Sequence, residues 1–292
     1  MLLERLATAK KIDQVIVATS NSIDDDILYN YVESLGYFCH RGSQDDVLDR
    51  YFEAASLFEA SAIIRITGDC PLIDGVLLDQ ALEKFEKGSL DYLSNANPPT
   101  FPDGLDIEIF TMEALTIAHR LATKSFDREH VTPYIKEKKN NFLTANIKNK
   151  TDLSHLRLTL DEPTDLQVIE KIMFYFQPNI LFSWEEIYKL YSTNKNIFQE
   201  NSHLTRNEGA TMNNGQKLYK RAKLVIPGGN HLLSKRPEMF LPGIWPSYFS
   251  KSKGCKVWDL EGVSYIDMSI MGIGTNILGY GDPEVDEEVS RV

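Results

Sequence analysis

Ala62-Ile63-Ile64-Arg65-Ile66-Thr67-Gly68-Asp69-Cys70-Pro71 is the stretch whose reading decides the fold. Its β-branched run predicts a short buried strand over 62–66, which places Gly68 and Asp69 at the strand's carboxyl end. Before it, a helical pattern over 2–10, a strand over 14–18 and helices over 24–35 and 46–58 follow one another. After it, residues 76–87 carry apolar side chains every three to four positions, as a helix packed on one face does. Short connections between such units favour an α/β fold with a mainly parallel sheet covered by helices on both faces. Ligands of such sheets sit at the carboxyl ends of the strands, where Asp69 falls.

Further along, residues 94–104 form a loop dense in Asn, Pro and Gly that leads into a strand over 107–110. Helices over 113–122 and 128–138, a strand over 155–160 and a helix opened by Pro163 follow. A last helix over 183–191 starts with a capping box, Ser183 at the N-cap and Glu186 three residues on. Residues 192–215 are rich in Asn, Ser, Thr and Gly, the composition of a linker. Beyond it, 216–225 reads as a helix stopped by Pro227-Gly228-Gly229, and the aromatics and turns of 240–268 read as a small antiparallel meander. The expected organisation is a domain over 1–205, a linker over 206–215 and a small α+β segment over 216–292.

The chain has 292 residues, 42% hydrophobic and 25% charged, with a formal net charge of -11. That acidity argues against a nucleic-acid partner, which needs a basic face to displace counterions from phosphates. A nucleotide is still permitted, because a metal ion can supply positive charge. The three cysteines lack paired spacing for a disulfide framework or a zinc site, and a reducing cytoplasm fits them. No apolar run is long enough to span a bilayer, so neither membrane insertion nor secretion is expected.

A hard cation such as Mg2+ wants carboxylate oxygens together with substrate phosphates. Asp69 and Asp161 each follow an expected strand, so the two could hold one Mg2+ against a triphosphate; equally, both could be helix N-caps. Arg50 and Arg65 fit a nucleotide site or surface ion pairs, and Asp49 fits that site or a solvated helix face. His130 reads either as a base or as a hydrogen-bonded half-buried side chain, and Asp103 as a site residue or a turn former beside Gly104. Cys70 is expected to pack rather than attack, since no His stands near it.

Arg65-Ile66-Thr67-Gly68-Asp69-Cys70-Pro71-Leu72-Ile73-Asp74 and Phe101-Pro102-Asp103-Gly104-Leu105-Asp106 resemble the cytidylyltransferases that include the spore coat polysaccharide biosynthesis type and the CMP-sugar acid synthetases. The blocks 17–20, 41–43, 46–51, 128–134 and 160–165 resemble the same family in the same order. The resemblance implies a nucleotide-diphospho-sugar transferase-like fold, CTP and a sugar or sugar acid as substrates, and Mg2+ held by Asp69 and Asp161. It implies Thr19 and Ser20 near the base, and Asp49, Arg50, Arg65 and Gly68 around the nucleotide. Asp103, Asp106, Arg128 and His130 would face the acceptor. UTP or GTP in place of CTP stays open, as does a homodimer. The family normally begins with a strand and a glycine-rich loop that wraps the triphosphate, whereas Met1–Leu6 resembles the helix after that loop. Weak nucleotide binding by the chain as written is the resulting expectation.

Residues 218–229, 254–268 and 277–285 resemble the start of a class III aminotransferase of the glutamate-1-semialdehyde aminomutase kind. Pyridoxal phosphate is expected only for a complete domain of that kind, whose Schiff-base lysine and phosphate cup come later. The expectation is a nucleotidyltransferase fused to an aminotransferase, serving surface polysaccharide synthesis. The alternative is a catalytically incomplete nucleotide-binding or scaffold module.

Overall fold

The computed structural model describes residues 1–206, 213–230, 232–241, 243–268 and 276–291. The chain divides into two compact units, Met1–Arg206 and Asn207–Val292.

In the first unit, helix α1 (Leu2–Leu6) is followed by strand β1 (Ile16–Ser20), α2 (Asp26–Ser34), β2 (Phe38–Gly42), α3 (Val47–Leu57) and β3 (Ala62–Arg65). Then come α4 (Gly75–Lys87), β4 (Tyr92–Ser94), β5 (Glu108–Thr111), α5 (Met112–Leu121), α6 (Ser125–His130), α7 (Pro133–Lys136) and β6 (Thr144–Asn146). Helices α8 (Pro163–Phe176) and α9 (Trp184–Thr193) complete it. Strands β1 and β2 pair in parallel. A second sheet has the order β3-β5-β4-β6, in which β3, β4 and β6 share one direction and β5 is reversed. The expected mainly parallel α/β architecture is present, with β5 as its antiparallel member.

Three clusters of buried side chains hold these layers. Leu77, Leu78, Ala81, Leu82 and Phe85 of α4 line one helix face and pack with Leu93 and Ile109 of the sheet and with Leu105 and Ile107 just before β5. On the other side Leu48 and Ala55 of α3 and Ala114, Leu115 and Ala118 of α5 meet Phe110. Alternation along β5 thus sends Ile109 to one layer and Phe110 to the other, and each fully buried side chain contributes roughly 2–3 kcal/mol. Leu72, Leu158, Val168, Ile172, Phe182 and Ile187 form the third cluster, under α8 and α9.

Asp74 fixes where α4 begins, its Oδ1 accepting from the N–H groups of Val76 (2.9 Å) and Leu77 (3.0 Å). Its Oδ2 accepts from Trp184 N–H at 2.9 Å, at the first turn of α9. The capping box of Ser183 and Glu186 is formed, at 3.2 and 2.7 Å.

Two expectations are corrected. The strand over 155–160 is absent: the segment makes one isolated bridge, Asp103 with Arg157, because its backbone bonds are split between two loops, to Asp103 and to Asp69, and build no continuous ladder. The helix over 128–138 is two short helices, α6 and α7, separated by buried Val131 at φ +71°, a conformation a β-branched residue adopts only when its surroundings impose it.

Linker-like composition over 192–205 does not make those residues a linker. Residues 195–198 form a 3-10 turn with Phe198 in the third cluster, Asn201 is buried, and Arg206 packs within the first unit. Residues 207–212 of the expected linker lie outside the described residues. The second unit opens with α10 (Asn214–Val225), capped by Asn213 and Gln216. It contains the expected antiparallel meander, β7 (Lys251–Lys253), β8 (Lys256–Trp258) and β9 (Ser264–Ile266), and ends in α11 (Pro283–Ser290).

Candidate functional site

At the end of β3 the chain turns through Thr67 and Gly68 to Asp69, whose Oδ1 is the acceptor for the Thr67 hydroxyl. The Asp69 carbonyl receives Leu160 N–H at 2.8 Å and the Thr159 hydroxyl at 3.1 Å, which docks the 159–161 segment beside it. The loop 101–106 docks on the same segment, with Asp103 N–H donating to Leu156 O (2.8 Å) and Leu158 N–H to Asp103 O (2.7 Å). Gly104 is required there. Its φ is +93°, and a Cβ would lie 2.5 Å from the Leu158 carbonyl carbon. Asp69, Asp103, Asp106 and Asp161 are thereby brought to one place.

Two guanidinium groups thread these acids. Arg157, buried, donates to Asp161 (2.8 Å), to both oxygens of Asp165 (2.8 Å each) and to Asp103 (3.2 Å). Arg206 pairs with Asp106, lies 3.7 Å from Asp103 and donates to Phe101 O at 3.2 Å. Burial lifts the Asp103 carboxyl to about 6 against the pull of Arg206 and Arg157. Burial lifts Asp161 and Asp106 too, and Asp69 adds repulsion to each. Asp165 is held below its ordinary value: burial opposes ionisation, but Arg157, Asn201 and two backbone N–H groups outweigh it.

Asp69 and Asp161 suit a hard cation. The Asp161 carboxylate is 48% exposed, Asp69 is half-buried, and a divalent ion would relieve the repulsion between them. Among the described residues no group of three or more His, Cys, Asp or Glu side chains could hold a metal unaided. Other positions would therefore fall to water or phosphate oxygens. A Cβ at Gly68 would meet no atom within 4 Å, so no protein group crowds that turn. Burial, reinforced by Asp69, pushes the Cys70 thiol far up, which leaves it as packing.

Next to this cluster, Arg65 is placed by Glu108, with Nη1 donating at 2.8 Å. Glu108 also accepts from Tyr92 Oη (2.6 Å), Thr132 Oγ1 (2.7 Å) and Lys136 Nζ (3.1 Å). The Arg65 guanidinium lies 5.9 Å from the Tyr51 ring, and the Nε atoms of Arg50 and Arg65 are buried without a hydrogen-bond partner. Arg50 Nη1 donates to Ser43 O at 2.9 Å.

The remaining expected site residues each have partners of their own. Thr19 and Ser20, at the carboxyl end of β1, both donate to Asp25 Oδ2, at 2.7 and 2.6 Å. Asp49 meets His119 Nε2 at 2.7 Å, and that ring stacks on Phe52 at 4.1 Å. Arg128 donates to Asp46 (2.8 Å) and to His119 O (2.7 Å), tying α6 to α3 and α5. His130 is half-buried and packs edge-on against Phe126 at 4.5 Å. Glu108, Arg157, Asp165 and Arg206 were not anticipated. The signal for Glu108 was legible, an acid inside the apolar run Ile107-Glu108-Ile109-Phe110.

A family model described as cytidylyltransferase matches residues 1–201. The spore coat polysaccharide biosynthesis protein SpsF of Bacillus subtilis is 33% identical over 166 residues, 55% of this chain and 67% of that protein. A solved cytidylyltransferase structure from Leptospira borgpetersenii superposes with a TM-score of 0.65 at 34% identity, covering 68% of this chain and 84% of that one. Glutamate-1-semialdehyde 2,1-aminomutase of Acetivibrio thermocellus is 37% identical over 81 residues, 28% of this chain but 18% of its own length.

Proposed function

The chain belongs to the cytidylyltransferase family through residues 1–201, and from that premise we propose that its first unit transfers CMP from CTP to a sugar or sugar acid. In that reaction a hydroxyl oxygen of the acceptor bonds to the α-phosphorus of CTP, the bond to the β-phosphate's bridging oxygen breaks, and pyrophosphate leaves with the hydroxyl proton lost to a base. The observation that carries the reading is the convergence of Asp69 and Asp161 beside an uncrowded glycine turn.

Asp69 and Asp161 would hold Mg2+, which when bound neutralises charge on the triphosphate. The open turn at Gly68 would admit a phosphate close to the backbone, and the buried Nε donors of Arg50 and Arg65 would face the nucleotide. Asp106, still 31% exposed, would take hydrogen bonds from the acceptor. Asp103 would act from behind it, as a buried link between Arg157 and Arg206. A role in surface polysaccharide synthesis is supported by the SpsF relative, and an aminotransferase fusion by the short aminomutase match together with the motifs of 218–285. Among the described residues no helix is long and apolar enough to cross a membrane.

Calorimetric titration of CTP with and without Mg2+, paired with pyrophosphate release in the presence of sugars and keto-deoxy sugar acids, tests the proposal. Binding should require Mg2+ and vanish in Asp69→Ala. Absence of binding in the wild-type chain would leave the scaffold reading in its place.

A further inference from the structure

We propose that Arg206 is a positioning residue that fixes the 101–106 loop and so orients Asp106 toward the acceptor, an inference that rests on the transferase reading above. Arg206 lies past residue 201, where the family match ends, in a stretch whose composition reads as linker. Yet its side chain is only 12% exposed, and its guanidinium spans three positions of a single loop: Phe101 O at 3.2 Å, Asp103 Oδ1 at 3.7 Å and an ion pair with Asp106.

The loop needs such a tie. Asp103 and Asp106 lie within one turn, and burial works against the charge on both. Arg157 reaches Asp103 but makes no bond to Asp106 among the described residues. Arg206 therefore supplies the counter-charge for Asp106, the more open of the two carboxylates. A planar fork can set direction as well as charge, which an ammonium cannot do equally. Arg206 also places positive charge beside an acidic cluster that would otherwise repel an anionic acceptor. Arg206 touches no reacting atom in this arrangement and acts through Asp106.

Two measurements on the full chain test this. Amide hydrogen exchange at Asp103, whose N–H docks the loop on Leu156 O, and at Leu105, whose N–H bonds to Pro102 O within it, should quicken about tenfold or more in Arg206→Ala and return most of the way in Arg206→Lys. Unchanged exchange in Arg206→Ala overturns the inference whatever the enzyme does. In turnover with CTP and the same sugar panel, Arg206→Ala should raise the acceptor KM about tenfold while the KM for CTP stays within about twofold, with Arg206→Lys intermediate. Equal changes in both KM values, or none, overturn the positioning role. A wild-type chain that releases no pyrophosphate with any acceptor defeats the transferase reading and the positioning role with it, and the exchange data alone then decide whether Arg206 holds the loop.

Discussion

Arg65 and Glu108 stand directly opposite each other in the β3–β5 ladder, and a 2.8 Å hydrogen bond joins their side chains inside the sheet. The pair connects the strand that leads to Asp69 with the strand that follows the 101–106 loop, so the two halves of the acidic site share one electrostatic anchor.

Glu108→Gln should destabilise the protein by about 3 kcal/mol, since Arg65 and Lys136 lose their buried counter-charge. Burial pushes this carboxyl up, but Lys136, Arg65 and the Thr132 and Tyr92 hydroxyls outweigh it and leave it at about 2 against an ordinary 4.5. A depressed folded value stabilises above the unfolded value and is lost as pH falls through the folded one. Urea midpoints of the wild type should therefore drop between about pH 4.5 and 2, and Glu108→Gln should show a shallower drop over the same window.

Gly104→Ala should cost about 2 kcal/mol or more, because the added Cβ meets main-chain atoms of Leu158 and Thr159 at a positive φ. Urea unfolding measures it, and a cost near zero would show that the loop can re-dock.

Arg5 is buried and donates to the carbonyls of Leu72 (3.1 Å), Ile73 (2.9 Å), Ile180 (2.7 Å) and Phe182 (2.8 Å). Arg5→Ala strands those acceptors and should cost about 3 kcal/mol or more in chemical unfolding. Arg5→Lys, with three donors on a point charge, should recover only part of that.

Asp161→Asn should raise the Mg2+ concentration needed for half-maximal CTP binding by about tenfold or more, with EDTA abolishing wild-type binding. Glu200→Gln, a substitution in an exposed pair with Lys171, should leave the titration unchanged. Calorimetry compares the three.

Much of this was written in local sequence. The β-branched run before Gly68-Asp69, the helix opened by Pro163 and the capping box at Ser183 each depend on neighbours within four residues, and each formed. Residues 155–160 misled because apolar side chains imply a strand only when one partner backbone runs alongside, and here the segment bonds to two separate loops, at Asp103 and Asp69, while Arg157 ties it to Asp103, Asp161 and Asp165. Residues 195–206 misled for a related reason. Their composition has no apolar period, yet Phe198, Asn201 and Arg206 are gathered in by contacts up to 105 positions away. Asp69 does follow a strand, as its sequence setting implies, whereas the strand expected before Asp161 is absent and that acid is placed by Arg157 and by the backbone bonds of 158–160; Arg206 owes its place to pairings across the fold.

Asp74 makes two helices answer to a single carboxylate, one oxygen for the start of α4 and the other for the start of α9, 110 positions later. Mutational drift at that position is thereby constrained from both sides. A replacement that suits one helix must also suit the other, and a better cap placed within either helix leaves the second still wanting. Such a residue behaves as a keystone in sequence space: neighbouring positions can vary one at a time, while this one can change only in company.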